Sequence, residues 1–536
     1  MKRIFSFVLV ALIALSLFAG GASEAAAPKP AAAATESAPA KESKYGGTVH
    51  LAQEVFDYCV TLGTPFATTG QEQETAEKAI FDKLWVRGAD GKIEMQLADS
   101  YTVSEDGLDY TFKLKQGIKF HDGSDFNADV VAWNWNKIKE YGFITNIAGA
   151  EVVDEYTVKI SLTKPNPFFL MSNAARTPMY MCSKANYEKL GDASKTNPVG
   201  TGPFKFVSME AGKSIKLEKN ENYWRKDTDG SQLPYADALE ITVISDPTVA
   251  AAALANGEID AYIGTLTDLK GNLETYDISK FTIERGKVPT KVSGIRFMAN
   301  SRNAKLFTDE RLRKAVAYAI DAKAVADMYP DGEFVYTNQI ALPGGLDYIE
   351  NPVTYDYNPE KAKELLKEAG YPNGFDIDIN IDTSANSQML AELYQYYLGE
   401  VGIKVKIMSY ANAERNKIQD SDDVKSQLLV SGTSITGDSA NVWNNCSPSR
   451  KKWNNMLPFE TEPGWVELWN KVSDCSKDIN AAYKALAEYF AYAHEHCTQY
   501  LFLHEYKDIK YFTNKVDLQT EKVGDRWVDS ALIYFK

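Results

Sequence analysis

Histidine and cysteine are scarce in this chain, with five of each among 536 residues. Five cysteines (Cys59, Cys182, Cys446, Cys475, Cys497) allow at most two disulfides in an oxidising compartment and leave a thiol over, and spacing alone does not pair them. Catalytic signatures are missing as well: there is no G-x-S-x-G, no H-E-x-x-H, no Walker loop and no G-x-G-x-x-G. An excess of positive charge is also lacking. Lys plus Arg total 58 against 73 Asp plus Glu, a net charge of −15, so a polyanion is repelled and nucleic acid is excluded as a partner. No later segment approaches the roughly 20 apolar residues that span a bilayer.

What is present begins with Lys2 and Arg3, an apolar run from Ile4 to Phe18, and the small residues Ala19, Gly20, Gly21 and Ala22. That layout predicts a secretory signal peptide over residues 1–21. Residues 22–44, almost all Ala, Pro, Glu, Ser and Lys, bury too little apolar surface to order themselves and read as a flexible linker. No cysteine precedes Cys59, so lipid anchoring after the run is not available and a soluble periplasmic or extracytoplasmic protein is expected. The length implies two or three domains.

Near misses to chemistry fail for physical reasons. The stretch AHEHCTQYLFLHEY (493–506) holds three of the five histidines, but His494 and His496 are two apart, so a helix turns their rings to different faces. GTSIT, starting at Gly432, lacks the last glycine of a nucleophile elbow. DTDG (227–230) lacks the later ligands of a calcium loop. No metal, cofactor or catalytic residue is expected.

Local patterns give a mixed α/β chain. LDYTFKLKQGIKF (108–120) alternates Tyr110, Phe112 and Leu114 with polar neighbours, as a half-buried strand does. In TDERLRKAVAYAI, Leu312, Ala315, Val316, Ala319 and Ile320 fall at helical spacing, with Thr308 placed as the cap. Asn358 and Pro359 open another helix that Gly370 ends, and GFDIDINI then returns to strand alternation. A helix after FHDGSDF is capped by Asn127 or Asp125, and DINAAYKALAEYFAYA is a helix before the strand TQYLFLHEY.

Whole segments carry a further signal. LADSYTVSEDGLDYTFKLKQGIKFHDGSDFNADVVAWNW (97–135) resembles the signature block of the family 5 extracellular solute-binding proteins of ABC transporters. YGGTVHLA, NPVGTGPFKF (197–206), LEKNENYWR (217–225), LPYADALEITVISD, FTDERLRKAVAYAIDAKAV and YNPEKAKELLKEAGYPNGF continue the resemblance in the family's order.

That resemblance implies a two-lobed periplasmic-binding-protein fold, α/β, type II and cluster C-like, with an extra domain inserted in lobe I. Lobe I would comprise residues 45–81, 200–297 and 507–536, the inserted domain 82–199, and lobe II 298–506. Ligand would be enclosed between the lobes of a monomer and handed to ABC permease subunits in the membrane. Peptide-binding members of the family hold the peptide along a lobe II strand and pair its amino terminus with a following aspartate. Here QLLVSGTSITGDSANVW (427–443) occupies that place. It gives Ser431, Gly432, Thr433 and Ser434 as strand contacts and Asp438 as the amine partner, with Ile435 or Thr436 at the anchor under another gapping. The family's tryptophan in this region and its proline after the acidic pair are absent, which keeps oligosaccharide in play through Trp443, near Asn441, Asn444 and Asn445. Trp465 and Trp469, four apart, read as helix packing. The resemblance ranks peptide first, oligosaccharide second, and nickel or a metallophore third.

Overall fold

A computed structural model describes residues 44–536 apart from 55–61, 68–73, 89–91, 143, 145, 175, 265–268, 287–290, 298–304, 329–333, 342–344, 384, 412–413, 416–417, 419–427, 435–438, 441–442, 444–462, 476–477, 498–499, 508 and 523–527. The chain lays down strand β1 (Thr48–Gln53), the short hairpin β2 (Trp85–Arg87) and β3 (Ile93–Met95), and then β4 (Ala98–Val103), β5 (Asp109–Leu114), β6 (Ile147–Asp154) and β7 (Thr157–Leu162). There follow β8 (Phe204–Glu210), β9 (Ser214–Lys219), β10 (Ala238–Val243), β11 (Ala261–Gly264) and β12 (Phe281–Arg285). The last run is β13 (Lys291–Phe297), β14 (Phe334–Tyr336), β15 (Asp376–Asp382), β16 (Lys404–Tyr410), β17 (Leu428–Ser434), β18 (Tyr500–Tyr506) and β19 (Ile509–Thr513).

Three larger sheets result. Seven strands join in the order β12-β19-β11-β1-β10-β9-β8, four in the order β4-β5-β7-β6, and six in the order β14-β18-β13-β17-β15-β16. The seven-stranded sheet thus gathers segments from both ends of the chain around the inserted four-stranded one. β13 is paired along its length with β17 and β18. An expected boundary after residue 297 therefore falls too late: the chain leaves the first sheet after Arg285 and has entered the second by Lys291.

Local chemistry explains the elements. In β5 the side chains of Tyr110, Phe112 and Leu114 are buried, as the alternation requires. Asn127 caps the helix Ala128–Tyr141, its side chain accepting from Val130 N–H at 3.2 Å, whereas Asp125 pairs with Lys119. Asn358 caps Pro359–Glu368 in the same way, at 2.9 Å from Lys361 N, and Gly370 follows with φ +91°. One cap moves: Asp309, not Thr308, accepts the Arg311 N–H at the start of Glu310–Ala319, because Thr308 ends the preceding turn Lys305–Thr308.

A buried carboxylate ties the inserted segment to the first sheet. Asp82, 1% exposed, accepts from Trp224 Nε1 (2.8 Å), Thr201 Oγ1 (2.8 Å), Gln96 Nε2 (3.0 Å) and the Tyr223 hydroxyl (3.1 Å). Burial pushes its carboxyl upward, and the bonds from Trp224, Thr201 and Tyr223, with Arg225 nearby, oppose that. The turn NPVGTGPF reaches this point because its glycines admit close backbone contact. A Cβ on Gly200 would lie 2.1 Å from the Ile80 carbonyl oxygen, and one on Gly202 2.5 Å from the Ile80 carbonyl carbon. His121 clamps the same turn, with Nε2 2.9 Å from Gly202 O and Nδ1 3.4 Å from Gly200 N.

A second contact crosses from the segment after β7 to the helices beyond the second sheet. Phe168, fully buried, meets Trp443 edge-on at 5.6 Å and Tyr483 at 4.8 Å, while Lys164 Nζ lies 5.8 Å from the Trp469 ring. Phe168, Trp443, Trp469 and Tyr483 share one apolar cluster with Trp465, Val472, Leu486 and Tyr489.

The histidine-rich stretch divides between a helix end and a strand. Ile479–Glu495 is helical and Tyr500–Tyr506 is β18. His494 Nε2 lies 2.6 Å from Val353 O, His496 Nδ1 3.1 Å from Glu310, and His504 Nε2 2.8 Å from Ala322 O. Among the described residues no group of three His, Cys, Asp or Glu is placed to hold a metal ion. The helix carbonyls are satisfied by Tyr355, which donates to Glu495 O at 2.6 Å, and by Arg313, which donates to His496 O at 3.0 Å. Burial holds His494 below its usual range, so the neutral ring does not complement the helix dipole as a charge would.

Two outcomes follow. Asp82→Ala strands several buried donors and should cost about 3–5 kcal/mol in urea unfolding, and an unchanged midpoint would contradict the hub. His121 and His504 are both held down by burial to about 4 from 6.5. The unfolded chain therefore binds more protons between those values, and stability is lost as pH falls through that window. For fully buried His504 the loss is about 3 kcal/mol, and His504→Gln should flatten the slope of unfolding free energy against pH between 6.5 and 4.

Candidate functional site

Parallel strands of an open sheet leave a crevice at their carboxyl ends where consecutive connections diverge to opposite sides. In the second sheet that point lies between β15 and β17. The connection from β15 leads to β16 on one side, and the next leads to β17 on the other. β15 pairs with β16 from Asp376 to Asp382. With β17 it pairs only at Ile379↔Leu428 and Asn380↔Leu429, although β17 pairs with β13 all the way from Leu428 to Ser434.

Past Leu429, then, β17 has a strand on one side only among the described residues. Val430 O on the open side accepts from Arg415 Nη2 at 2.9 Å. Main-chain groups of alternate residues point the same way, so Gly432 and Ser434 share that side. Ser431, Gly432, Thr433 and Ser434 thus form the half-paired end of a strand. Asp438 lies outside the described residues, as do Ile435, Thr436, Asn441, Asn444 and Asn445.

Trp443 is placed differently from an open stacking face. It is 2% exposed, stacks on Trp469 at 5.1 Å and 17°, and has Phe168 against its edge. The reason is the helix Pro463–Asp474, whose spacing puts Trp465 and Trp469 on one buried side and leaves the Trp469 face to be covered. Trp465 packs on Tyr489 at 6.0 Å.

Three polar residues near the crevice carry no motif in the sequence. Asp347, 6% exposed, accepts from the Ser439 hydroxyl, and burial pushes its carboxyl up. Ser439 O in turn accepts Trp443 N at 3.1 Å, which places this carboxylate one turn from the tryptophan. Asn380, 1% exposed, has a carboxamide oxygen with no partner among the described residues. Arg415 reaches between the two strands, its Nη1 3.7 Å from Asp382. Asn380 lies inside β15 and Arg415 shortly after β16, and a polar residue on a strand's inward face or just past its end is the signal that could have found them.

Comparisons with known proteins bear on the family and the architecture. The sequence profile of the bacterial extracellular solute-binding proteins, family 5 (middle region), matches residues 92–453. The glutathione-binding protein GsiB of Pectobacterium atrosepticum is 32% identical over 359 residues, covering 66% of this chain and 67% of that protein. Among solved structures, the periplasmic binding protein DppA of Helicobacter pylori in complex with the peptide STSA superposes with a TM-score of 0.76 at 24% identity, over 92% of this chain and 98% of that one. The oligopeptide-binding protein AppA of Bacillus subtilis, in complex with a nonapeptide, gives 0.73 at 20% identity, over 92% and 100%. The architecture is the type II periplasmic-binding-protein fold, and the chain belongs to the family 5 extracellular solute-binding proteins of ABC transporters.

Proposed function

We propose that this protein captures short peptides outside the cytoplasm and delivers them to the permease of an ABC importer. The observation that carries the reading is the half-paired β17, whose open side suits an extended peptide added as one more strand. Main-chain bonds of that kind hold a backbone without reading side chains. The glutathione-binding relative and the peptide complexes of the structural relatives support the same ligand class. Sugar stacking is disfavoured because the ring of Trp443 is already covered.

Lobe I comprises residues 45–81, 200–285 and 509–536, the inserted domain 82–199, and lobe II 291–506. The chain passes between the two sheets after β12 and after β18, and these two passages act as the hinge. Ligand favours closure only through contacts the open form lacks, and strand addition on β17 with simultaneous contact to lobe I is such a set. Ser431, Gly432, Thr433 and Ser434 supply the main-chain edge, and Asp438 receives the ligand's ammonium group, which would be costly to enclose unpaired. Residues 1–21 direct export, 22–44 tether the folded part, and the protein works as a monomer that binds and transports without making or breaking bonds.

Calorimetric titration with glutathione, trialanine and maltotriose tests the class. Heat with a peptide and none with the sugar is expected, and the reverse would overturn the reading. Asp438→Ala should weaken trialanine at least tenfold, about 1.4 kcal/mol, with the melting temperature nearly unchanged. Unaltered affinity would place the amine anchor elsewhere.

A further inference from the structure

Phe168 and Phe169 are consecutive in the chain and go to different cores. Phe169 packs on Trp85, Tyr110 and Trp135, in the core shared by the four-stranded sheet and the first sheet. Phe168 turns the other way, and among the described residues it is the one member of its apolar cluster that precedes Val292. The turn that carries the pair is firmly held. Asn166 Oδ1 accepts the Phe168 N–H at 3.0 Å, and Phe168 O accepts the Ser172 N–H at 2.7 Å. Asn166 O accepts both the Phe169 N–H at 3.0 Å and the Tyr110 hydroxyl of β5 at 3.2 Å. A side chain fixed to one sheet is thus seated among rings that belong to the other, edge-on to Trp443 at 5.6 Å and tilted on Tyr483 at 4.8 Å. That seat is linked to the half-paired strand. Trp443 follows the end of β17, its N–H donates to Ser439 O, and the Ser439 hydroxyl donates to Asp347.

A rotation about the passages after β12 and after β18 displaces Phe168 from this seat, because Phe168 travels with the four-stranded sheet and Trp443 and Tyr483 travel with the second. Phe168 is fully buried and Trp443 2% exposed, so parting them returns apolar ring surface to water. We propose that Phe168 is a positioning residue for ligand capture, a latch that favours the closed form from outside the ligand crevice. The inference rests on the hinge reading above and deepens it. Apparent affinity scales with the fraction of protein in the binding-competent form. A latch therefore raises the affinity for every ligand by one common factor, whereas a residue that touched ligand would raise each by its own. Its loss acts mainly on release, since the latch engages only as the lobes come together.

The test titrates full-length native protein and Phe168→Ala with trialanine and with glutathione, and compares the unliganded forms by small-angle scattering. The variant should bind both peptides about tenfold more weakly, by factors that agree within about twofold. Unliganded, it should have the larger radius of gyration, and saturating trialanine should bring both proteins to the same compact form. Phe168→Leu should keep most of the affinity. Tyr483→Ala should repeat the loss, and the double variant should bind no more weakly than Phe168→Ala alone, because the two side chains act through one contact. Should Phe168→Ala not fold, Tyr483→Ala decides by the same readings. Native affinity for both peptides in a variant with native circular dichroism overturns the latch, and so does a loss confined to one peptide, which would make Phe168 a ligand contact. If the native protein binds neither peptide, the peptide reading falls and the scattering comparison still decides. A larger unliganded radius in Phe168→Ala upholds the latch, and equal radii overturn it.

Discussion

Main-chain N–H and C=O groups at a buried strand must find partners, and at β17 the described residues satisfy them along one side and along only part of the other. The divergence from β15 after Leu429 is what creates a crevice at all, because a full parallel ladder would close it. Arg415 enters the gap and takes Val430 O, which marks the point where protein stops and an added strand can begin. The neighbouring elements of the second sheet support that edge. β13 holds β17 from behind, β15 and β16 are fully paired to each other, and Asp347 fixes Ser439 close to the loop that follows.

An edge is useful for capture only if an opposing surface can meet it. The first sheet and the four-stranded one share a hydrophobic core, and specific polar contacts are added to it. Asp82 joins the start of the inserted domain to the 197–206 turn and to Tyr223 and Trp224, and Arg225 continues the line to Asp529 near the C-terminus. Phe168 then carries the inserted domain onto the helices of the second lobe through Trp443 and Tyr483. Trp443, which kept a sugar ligand in play, thereby packs between the segment after β7 and the helices Pro463–Asp474 and Ile479–Glu495.

Local features were legible in the sequence to the extent that their causes were local. Asn127 and Asn358 cap their helices because the accepting side chain and the donating N–H lie three residues apart, and the alternation over 109–114 fixes a half-buried strand by itself. Asp309 displaced Thr308 because a short turn ends there, a distinction two neighbouring polar residues do not reveal. The boundary after residue 297 went astray for a less local reason. Val292, Ile295 and Phe297 mark a strand, but the partners that assign it to the second sheet begin at Leu428 and Tyr500. Arg415 and Asp347 were silent for the same cause, since Val430, Asp382 and Ser439 come to them only through the fold. The histidines were over-legible: three in one stretch suggested chemistry, yet the helix-to-strand break gives each its own partner.

The central claim is that the open side of β17 is where a ligand backbone binds. Amide hydrogen exchange of the 428–434 strand, measured on the full-length protein with and without saturating trialanine, tests it directly. Strong added protection at Val430, Gly432 and Ser434, with little change at Leu428, is the predicted result. Protection elsewhere in the molecule with these three amides unchanged would contradict it.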